Sequence, residues 1–296
     1  MYEMNRRGFL KATAAVGAGI SLAGAAGVGM AQETKGKLLK ALQYGMLPKD
    51  LSDADKFALA RKCGFEGIEF DAGTLEDLDK AREMGQLARK AKLPIHSLVF
   101  GGWNAPFSSP DEAVIKRGLD GMENALRSAK ACGANNVLLV PGIVGETVGY
   151  ADAYERSQRH IRKLLPLAKE LDVVIAVENV WNKFLLSPLE FARYVDEFDH
   201  SHLKAYFDVG NVILFGYSQD WIRTLGKRLH RIHLKDFKRQ GYQWTNLREG
   251  DVNWKQVRAA LDEVGYSGYL TTELGGGNEA YLTDLAGRID LIIAGK

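Results

Sequence analysis

The run VVIAVEN at residues 173–179 is apolar and β-branched, as a buried β-strand is, and it ends at a carboxylate, Glu178, followed by an asparagine. Three later segments repeat this design: LKAYFDV at 203–209, HRIHLK at 230–235 and GYLTTEL at 268–274. Each of them carries one further side chain that can ligate a metal ion: Asp208, His233 and Glu273. Successive members of the set lie 30, 25 and 40 residues apart, which is roughly one strand–helix unit. In a barrel of parallel strands, consecutive strand ends meet at one mouth, so we expect these four side chains to converge.

Apolar, strand-like runs alternate with segments of helical period along the rest of the chain. Strands are predicted at 40–46, 67–72, 95–100, 136–141, 173–179, 203–209, 230–235 and 268–274. Helices are predicted near 52–63, 75–92, 111–131, 151–171, 188–198, 218–228, 254–264 and 278–294. Eight such units joined by short links predict an α/β fold, a single (β/α)8 TIM barrel over residues 38–292. A doubly wound open sheet is the competing fold, but no glycine-rich phosphate motif follows the first strand.

The first 31 residues differ from the rest of the chain. The segment Asn5-Arg6-Arg7-Gly8-Phe9-Leu10-Lys11 places paired arginines before two bulky apolar residues, and an alanine- and glycine-rich stretch follows it. This resembles a cleavable twin-arginine signal over residues 1–31, with a disordered basic terminus or an uncleaved anchor as alternatives. The resemblance implies the twin-arginine export machinery as a partner and a periplasmic or other extracytoplasmic location.

Net charge and cysteine content limit the possible partners and the disulfide content of the protein. The 296-residue chain has a formal net charge of +2, and residues 1–31 supply that excess with three basic residues against one acidic residue. Residues 32–296 therefore carry no formal net charge, which argues against a nucleic-acid partner. Cys63 and Cys132 are isolated in the sequence, so we expect two buried free thiols rather than a disulfide.

The four converging side chains comprise one imidazole and three carboxylates. Glu178 shares a strand face with Val174 and Ala176, which directs its carboxylate into the barrel near the strand end. A carboxylate buried there destabilises the fold unless it is paired or bound to a metal. One imidazole with three carboxylates suits a hard or borderline divalent ion, so we expect one Mn²⁺, with Mg²⁺, Co²⁺ or Zn²⁺ as alternatives.

Several motifs resemble those of the xylose isomerase-like TIM barrels of the sugar (phosphate) isomerase and epimerase superfamily: Val177-Glu178-Asn179, Phe207-Asp208-Val209-Gly210-Asn211, His233-Leu234-Lys235-Asp236-Phe237, Glu249-Gly250-Asp251-Val252-Asn253-Trp254 and Glu273. The chain is most similar to ketose 3-epimerases and to hexulose phosphate isomerase-like members. The resemblance implies one set of metal ligands: Glu178, Asp208, His233 and Glu273. It also implies that Glu178 and Glu273 are acid/base catalysts on opposite faces of a bound sugar, and that Arg239 contacts substrate oxygens. Those epimerases often carry a histidine where this chain has Asn211, which can bind a hydroxyl but cannot supply a proton near neutral pH.

Three further side chains are candidates for binding the sugar. His96 is expected near the mouth end of the third strand, with a core histidine as an equal alternative. Trp103 follows two glycines and would stack on a sugar ring, although packing also explains such aromatics. Glu69, at the end of the second strand, would hydrogen-bond a hydroxyl. Lys235 shares an inward strand face with His233, where it would pair with a carboxylate.

The implied reaction is the isomerisation or epimerisation of a sugar or keto-sugar. One glutamate removes a proton from the carbon beside a ketone that the ion polarises, and the other returns a proton to the enediolate. Return on the opposite face inverts the carbon, whereas transfer on one face interconverts aldose and ketose. A metal-dependent keto-sugar lyase or dehydratase, and a non-catalytic sugar-binding barrel, are the alternatives. Related metal-dependent endonucleases use several ions and more histidines, and only His96 and His233 lie in predicted strands.

Two further properties are the oligomeric state and the presence or absence of a phosphate on the substrate. The sequence is compatible with a monomer and with a homo-oligomer. An exported enzyme meets extracytoplasmic sugars, and phosphorylated sugars are mainly cytoplasmic, so we expect a substrate without phosphate. The local sequence is ambiguous, because Gly275-Gly276-Gly277 after the eighth strand would also suit a phosphate-binding nest.

Overall fold

Eight parallel strands close into one barrel in the computed structural model, which describes residues 36–296. These strands are β1 Leu38–Gln43, β2 Gly67–Asp71, β3 Ile95–Phe100, β4 Asn136–Leu139, β5 Val174–Glu178, β6 Leu203–Asp208, β7 Leu229–Leu234 and β10 Gly268–Thr272. Two short strands between β7 and β10, β8 Asp236–Lys238 and β9 Gln243–Thr245, form an antiparallel hairpin. β1 closes the ring by pairing with β10. The predicted TIM barrel is confirmed, and the predicted signal at 1–31 lies outside the described residues.

In the described part of the chain, eight α-helices alternate with the barrel strands. They are α1 Asp53–Lys62, α2 Leu78–Ala91, α3 Glu112–Cys132, α4 Tyr150–Leu171, α5 Pro188–Asp196, α6 Ser218–Leu225, α7 Trp254–Glu263 and α8 Glu279–Ile293. Side-chain caps begin several of them: Ser52 accepts a hydrogen bond from the Asp55 N–H at the start of α1. Across residues 36–296, none of these helices combines the length and the apolar composition that crossing a membrane requires.

Most of the apolar core lies between the barrel and the surrounding helices. A second, smaller cluster on the barrel strands consists of four buried side chains: Leu138, Val140, Ala176 and Tyr206. Polar side chains lie next to this cluster, and the hydroxyl of Tyr206 donates a hydrogen bond to Glu69. Cys63 and Cys132 are buried and free, as predicted.

The first strand ends earlier than predicted. The apolar alternation of KALQYGM predicts a strand through residue 46, but β1 ends at Gln43, and Tyr44–Met46 form a 3-10 turn. Periodicity cannot detect such a turn, because Tyr44 and Met46 continue the alternation. The β8–β9 hairpin was not predicted either, because three-residue strands are too short to show a period.

Asp236 anchors the hairpin and the loop that follows it. Its carboxylate is fully buried and accepts hydrogen bonds from the backbone N–H groups of Arg248 at 2.8 Å and Val252 at 3.2 Å. It also accepts one from Trp254 Nε1 at 2.9 Å. A Cβ at Gly250 would lie 2.2 Å from Asp236 Oδ1, so only glycine lets the loop approach this closely. One carboxylate therefore shapes the connection between β7 and α7.

Replacing Asp236 with Ala should lower the free energy of unfolding by about 2–4 kcal/mol, because several buried, charge-assisted hydrogen bonds are lost together. Urea denaturation followed by circular dichroism measures this change. Asp79→Ala is the control: Asp79 is 89% exposed in its pair with Arg82, and its loss should leave the stability unchanged. Equal stability of the two variants would show that the hairpin does not depend on Asp236.

Candidate functional site

The four side chains predicted to bind a metal meet at the mouth of the barrel. One ligand atom from each lies within 4.8 Å of the other three. Glu178 ends β5, Asp208 ends β6, His233 is the penultimate residue of β7, and Glu273 directly follows β10. These strands are consecutive in the barrel, and Asp208 pairs with His233 in register. The convergence expected from the sequence is present, while the role of these side chains as ligands stays a prediction.

Asparagine side chains fasten the ends of β5 and β6 together. The Asn179 amide donates to the Asp208 carbonyl at 3.0 Å, and its oxygen accepts from the Asp208 N–H at 2.9 Å. The Asn211 amide donates to the Asn179 carbonyl at 2.9 Å. A Cβ at Gly210 would lie 2.6 Å from Lys235 Cβ, so glycine permits β6 and β7 to end side by side. The side-chain amide of Asn211, which was predicted to bind sugar, thus donates a hydrogen bond to the protein backbone.

The imidazole of His233 is buried between carboxylates on both sides. Its Nδ1 lies 2.7 Å from Glu178 Oε1 and 3.1 Å from Glu273 Oε2. Its Nε2 lies 2.6 Å from Glu69 Oε2 on the opposite side of the ring. Because Nε2 is held by Glu69, Nδ1 is the nitrogen that faces the other carboxylates and is the one available to a metal ion.

Glu69 is the buried partner of this histidine. Besides His233, it accepts hydrogen bonds from the Tyr206 hydroxyl at 2.9 Å and from the Gln43 amide at 3.4 Å. Both carboxylate oxygens therefore have protein partners, and the expected contact with a sugar hydroxyl stays a prediction. A carboxylate that receives the second N–H of a ligating histidine fixes its tautomer and orientation. The sequence hypothesis missed Tyr206 and Gln43, because an inward strand position was their sole signal.

Lys235 supplies positive charge next to the cluster. Its Nζ lies 2.6 Å from Glu273 Oε2 and 3.4 Å from Asp208 Oδ2. The predicted pairing of Lys235 with a carboxylate is therefore confirmed. Burial acts to lower the pKa of Lys235, but Asp208 and Glu273 hold it above its usual range. The lysine thus stays charged and offsets part of the negative charge that the cluster concentrates.

The acidic groups of the cluster differ in how readily they take up a proton. Burial raises the pKa of Glu178 to about 7, against the opposing effect of His233. Burial likewise raises the pKa of Asp208. Burial also acts to raise the pKa of Glu273, but His233 and Lys235 outweigh it and lower that pKa. Glu178 can therefore exchange protons near neutral pH, while Glu273 is a carboxylate.

The donor set fits a divalent metal ion. Three carboxylates and one imidazole are the ligands that hard or borderline ions prefer. Within the described residues, Asp208 Oδ2 is buried without a hydrogen bond and has an ion-pair contact with Lys235 at 3.4 Å, so it could also ligate an ion. Glu178, Asp208, His233 and Glu273 are thus the residues that would hold the ion.

A cavity of about 730 Å³ opens beside the cluster. Glu273 and Glu69 contribute to its wall, together with aromatic and amide side chains: Tyr44, Phe100, Trp103 and Asn124. Trp103 is 53% exposed here, in a position that suits stacking on a sugar ring. Aromatic walls with a few polar groups are typical of small-molecule sites of about 300–1,000 Å³.

Arg239 lies apart from the wall of this cavity. Its Nε donates to the Ile213 carbonyl at 2.7 Å, and a terminal nitrogen donates to the Gly216 carbonyl at 3.2 Å. The guanidinium carbon lies 5.3 Å from the centre of the Tyr217 ring. Arg239 therefore fastens the loop after β6, and its contact with a substrate stays a prediction.

His96 lies at the amino end of β3, so its predicted position near the mouth was wrong. It is the second residue of Ile95–Phe100, and the mouth of a parallel barrel is formed by the carboxyl ends of the strands. Its ring stacks on Tyr269 with centroids 4.1 Å apart, and its Nε2 lies 3.1 Å from Thr271 Oγ1. Burial holds its pKa well below the usual value, so His96 is a neutral core histidine, the alternative that the sequence left open.

Comparisons with known proteins agree with the fold. The family described as xylose isomerase-like TIM barrel matches residues 57–289. A putative L-ribulose-5-phosphate 3-epimerase, SgbU, of Escherichia coli K12 is 27% identical over 248 residues, which cover 77% of this chain and 85% of that protein. A D-psicose 3-epimerase of Enterocloster bolteae is 30% identical over 122 residues, 40% of this chain and 39% of that protein.

Solved structures share the fold at lower sequence identity. A D-psicose 3-epimerase with D-tagatose from Clostridium cellulolyticum H10 has a TM-score of 0.73 at 18% identity, covering 86% of this chain and 98% of that one. The 3-keto-D-glucoside 4-epimerase YcjR from E. coli has a TM-score of 0.74 at 16% identity, covering 87% of this chain and 100% of that one. At these identities the likeness extends to the fold alone.

Replacing His233 with Ala should abolish stoichiometric binding of a divalent ion while leaving the barrel folded, because the apolar core supplies most of the stability. Elemental analysis of the purified protein measures the ion, and circular dichroism checks the fold. A variant that kept one ion per chain would remove His233 from the set of ligands.

Glu69→Gln should weaken metal binding by about 10–100-fold, the usual effect of losing a carboxylate that orients a ligating histidine. Competition with a chromophoric chelator measures the affinity without any assay of activity. Asp71→Asn is the matched control, since Asp71 ends the same strand and lines the cavity but instead caps the Gly73 N–H. Equal affinities for the two variants would contradict a positioning role for Glu69.

Proposed function

Because the chain belongs to the xylose isomerase-like TIM barrel family, we propose that it is a metal-dependent sugar isomerase or epimerase acting on a keto-sugar. The proposed ion is one Mn²⁺, held by the four-residue cluster. The names of the relatives support the epimerase as the narrower proposal, since L-ribulose-5-phosphate, D-psicose and 3-keto-D-glucoside are all named there as the sugars of epimerases.

The proposal depends on one observation above the others, which is that two glutamates of the cluster contact the same histidine nitrogen but differ in their access to the cavity. Glu273 is 31% exposed and faces the cavity. Glu178 is buried behind it, and both contact Nδ1 of the same histidine, His233. Two carboxyl groups held at one point, one open to the cavity and one buried, suit two successive proton transfers.

The chemistry can be followed through the side chains of this chain. A divalent ion at the cluster would polarise a ketone oxygen and make the neighbouring C–H more acidic. One glutamate takes that proton, and Lys235 keeps Glu273 oriented and its charge balanced. Glu178 is the other acid/base group, and it lies beside Glu273 at the same nitrogen of His233. Removal on one face and return on the other inverts the carbon.

Glu178→Gln and Glu273→Gln should each slow proton exchange by about 10²–10⁴-fold, since each removes an acid/base group. Arg239→Ala should have a smaller effect, because Arg239 contacts loop carbonyls. The protein is incubated with Mn²⁺ and a panel of ketoses in D₂O, and loss of the carbon-bound proton is followed by NMR.

The products of the same incubation separate the alternatives. A new ketose stereoisomer indicates an epimerase, an aldose indicates an isomerase, and an eliminated product indicates a lyase or dehydratase. Near-normal exchange in either glutamine variant, with the metal still bound, would contradict the two-glutamate mechanism.

We also propose export by the twin-arginine route, on the basis of Arg6 and Arg7 in the N-terminal segment. This route would allow the ion to be inserted before export, away from tighter-binding Zn²⁺ or Cu²⁺. Changing both arginines to lysine should retain the protein in the cytoplasm, which cell fractionation measures. Equal periplasmic yields of the variant and the natural chain would contradict this route.

A further inference from the structure

Two cavities meet at Glu273. The first is the cavity of about 730 Å³ beside the cluster, which extends towards the loops after β2 and β3. The second, of about 630 Å³, lies between the β8–β9 hairpin and the loop after β10. Gln43 and Glu273 line both of them. Each cavity alone has the size of a small-molecule site, so a substrate that reacts at Glu273 has room for a ring on either side.

The wall of the second cavity combines apolar and hydrogen-bonding groups. Hairpin residues form one side and residues after β10 form the other: Trp244, Thr245, Asn246, Leu274, Gly275 and Tyr281. Trp244 is 44% exposed. The C–H face of a sugar ring packs on an aromatic ring, and its hydroxyls bond an amide such as that of Asn246. The composition of this wall therefore suits a sugar ring.

Trp244 is held in place before any ligand arrives. It stands opposite Phe237 in the hairpin, with ring centroids 5.0 Å apart. Trp181, from the loop after β5, also lies 5.0 Å from it. Asp236 fixes the hairpin through its buried hydrogen bonds. A preorganised aromatic surface loses little conformational freedom when a ligand binds.

The charges of the second cavity point to an uncharged occupant. Among the described residues that line it, Lys235 is the cation, and its Nζ lies 2.6 Å from Glu273. Phosphate sites use arginine or lysine groups that are free to bond the anion. A phosphorylated group in this cavity would have to compete with Glu273 for Lys235, whereas a neutral ring would not.

Building on the proposed function, we propose that the second cavity binds a neutral sugar unit joined glycosidically to the keto-sugar that reacts at Glu273. The substrate would then be a ketose disaccharide or a keto-glycoside rather than a free monosaccharide. Trp244 is the residue that would distinguish two-ring substrates from monosaccharides, because it lines the second cavity and not the first.

The test compares D-fructose and D-psicose with isomaltulose, in which fructose carries a glucosyl unit, and with 3-keto-trehalose. In the Mn²⁺-loaded protein, kcat/KM for proton exchange should be at least tenfold higher for a two-ring substrate. Trp244→Ala should remove that advantage through KM, with a much smaller loss on the monosaccharides than on the two-ring substrates, although the centre of the Trp244 ring also lies 5.6 Å from Lys235 Nζ. Trp244→Phe, which keeps an aromatic face, should retain most of it.

Tyr242→Ala is the matched control, since Tyr242 is a 59% exposed aromatic of the same hairpin that lines neither cavity. It should leave both classes of substrate unchanged. A preference for monosaccharides, or an equal loss on both classes in Trp244→Ala, would overturn the subsite while leaving the proposed epimerase intact.

Saturation-transfer NMR tests the sugar subsite separately from the proposed catalytic function. It reports ring contacts with isomaltulose whether or not exchange occurs, so absence of exchange with every sugar would count against the proposed function alone. Contacts on both rings, lost from one ring in Trp244→Ala, support the subsite. Contacts confined to one ring in the natural protein would overturn it.

Discussion

The contact of one imidazole with carboxylates on both of its edges is the interaction around which the mouth of the barrel is arranged. His233 lies between Glu69 on one side and Glu178 with Glu273 on the other, and all but Glu273 are buried. Burying this many acidic groups is unfavourable unless each has a partner. The neighbouring residues supply those partners, and Lys235 is the charged one among them.

This requirement explains motif residues that lie next to the cluster of four side chains. Asn179 and Asn211 bond backbone groups at the ends of β5 and β6, which fixes where the acids of those strands can point. Tyr206 rises from the apolar layer inside the barrel to bond Glu69. Tyr206 therefore connects the apolar cluster inside the barrel to the polar groups at its mouth.

The connection from β7 to β10 gives the site a feature that the other connections lack. The 40-residue spacing between His233 and Glu273 is the longest of the three because it holds the hairpin and the loop that Asp236 anchors. The hairpin places Trp244 in the wall of the second cavity, whereas Trp103 lines the first, and Glu273 lines both. A single buried carboxylate thus connects loop geometry to the shape of the space in which a substrate would bind.

The sequence by itself determined the barrel and the convergence of Glu178, Asp208, His233 and Glu273. Both follow from local apolar period and from the rule that parallel strand ends share one mouth. It could not assign Glu69 to His233, because that contact joins residues 164 positions apart across the barrel interior. It misplaced His96, and it missed the hairpin, because three-residue strands leave no periodic signal. Partners across a closed barrel are chosen by side-chain direction and distance. Only the tertiary structure therefore decided which carboxylates meet in the candidate metal cluster, which one contacts Nε2 of His233 and which one lines both cavities.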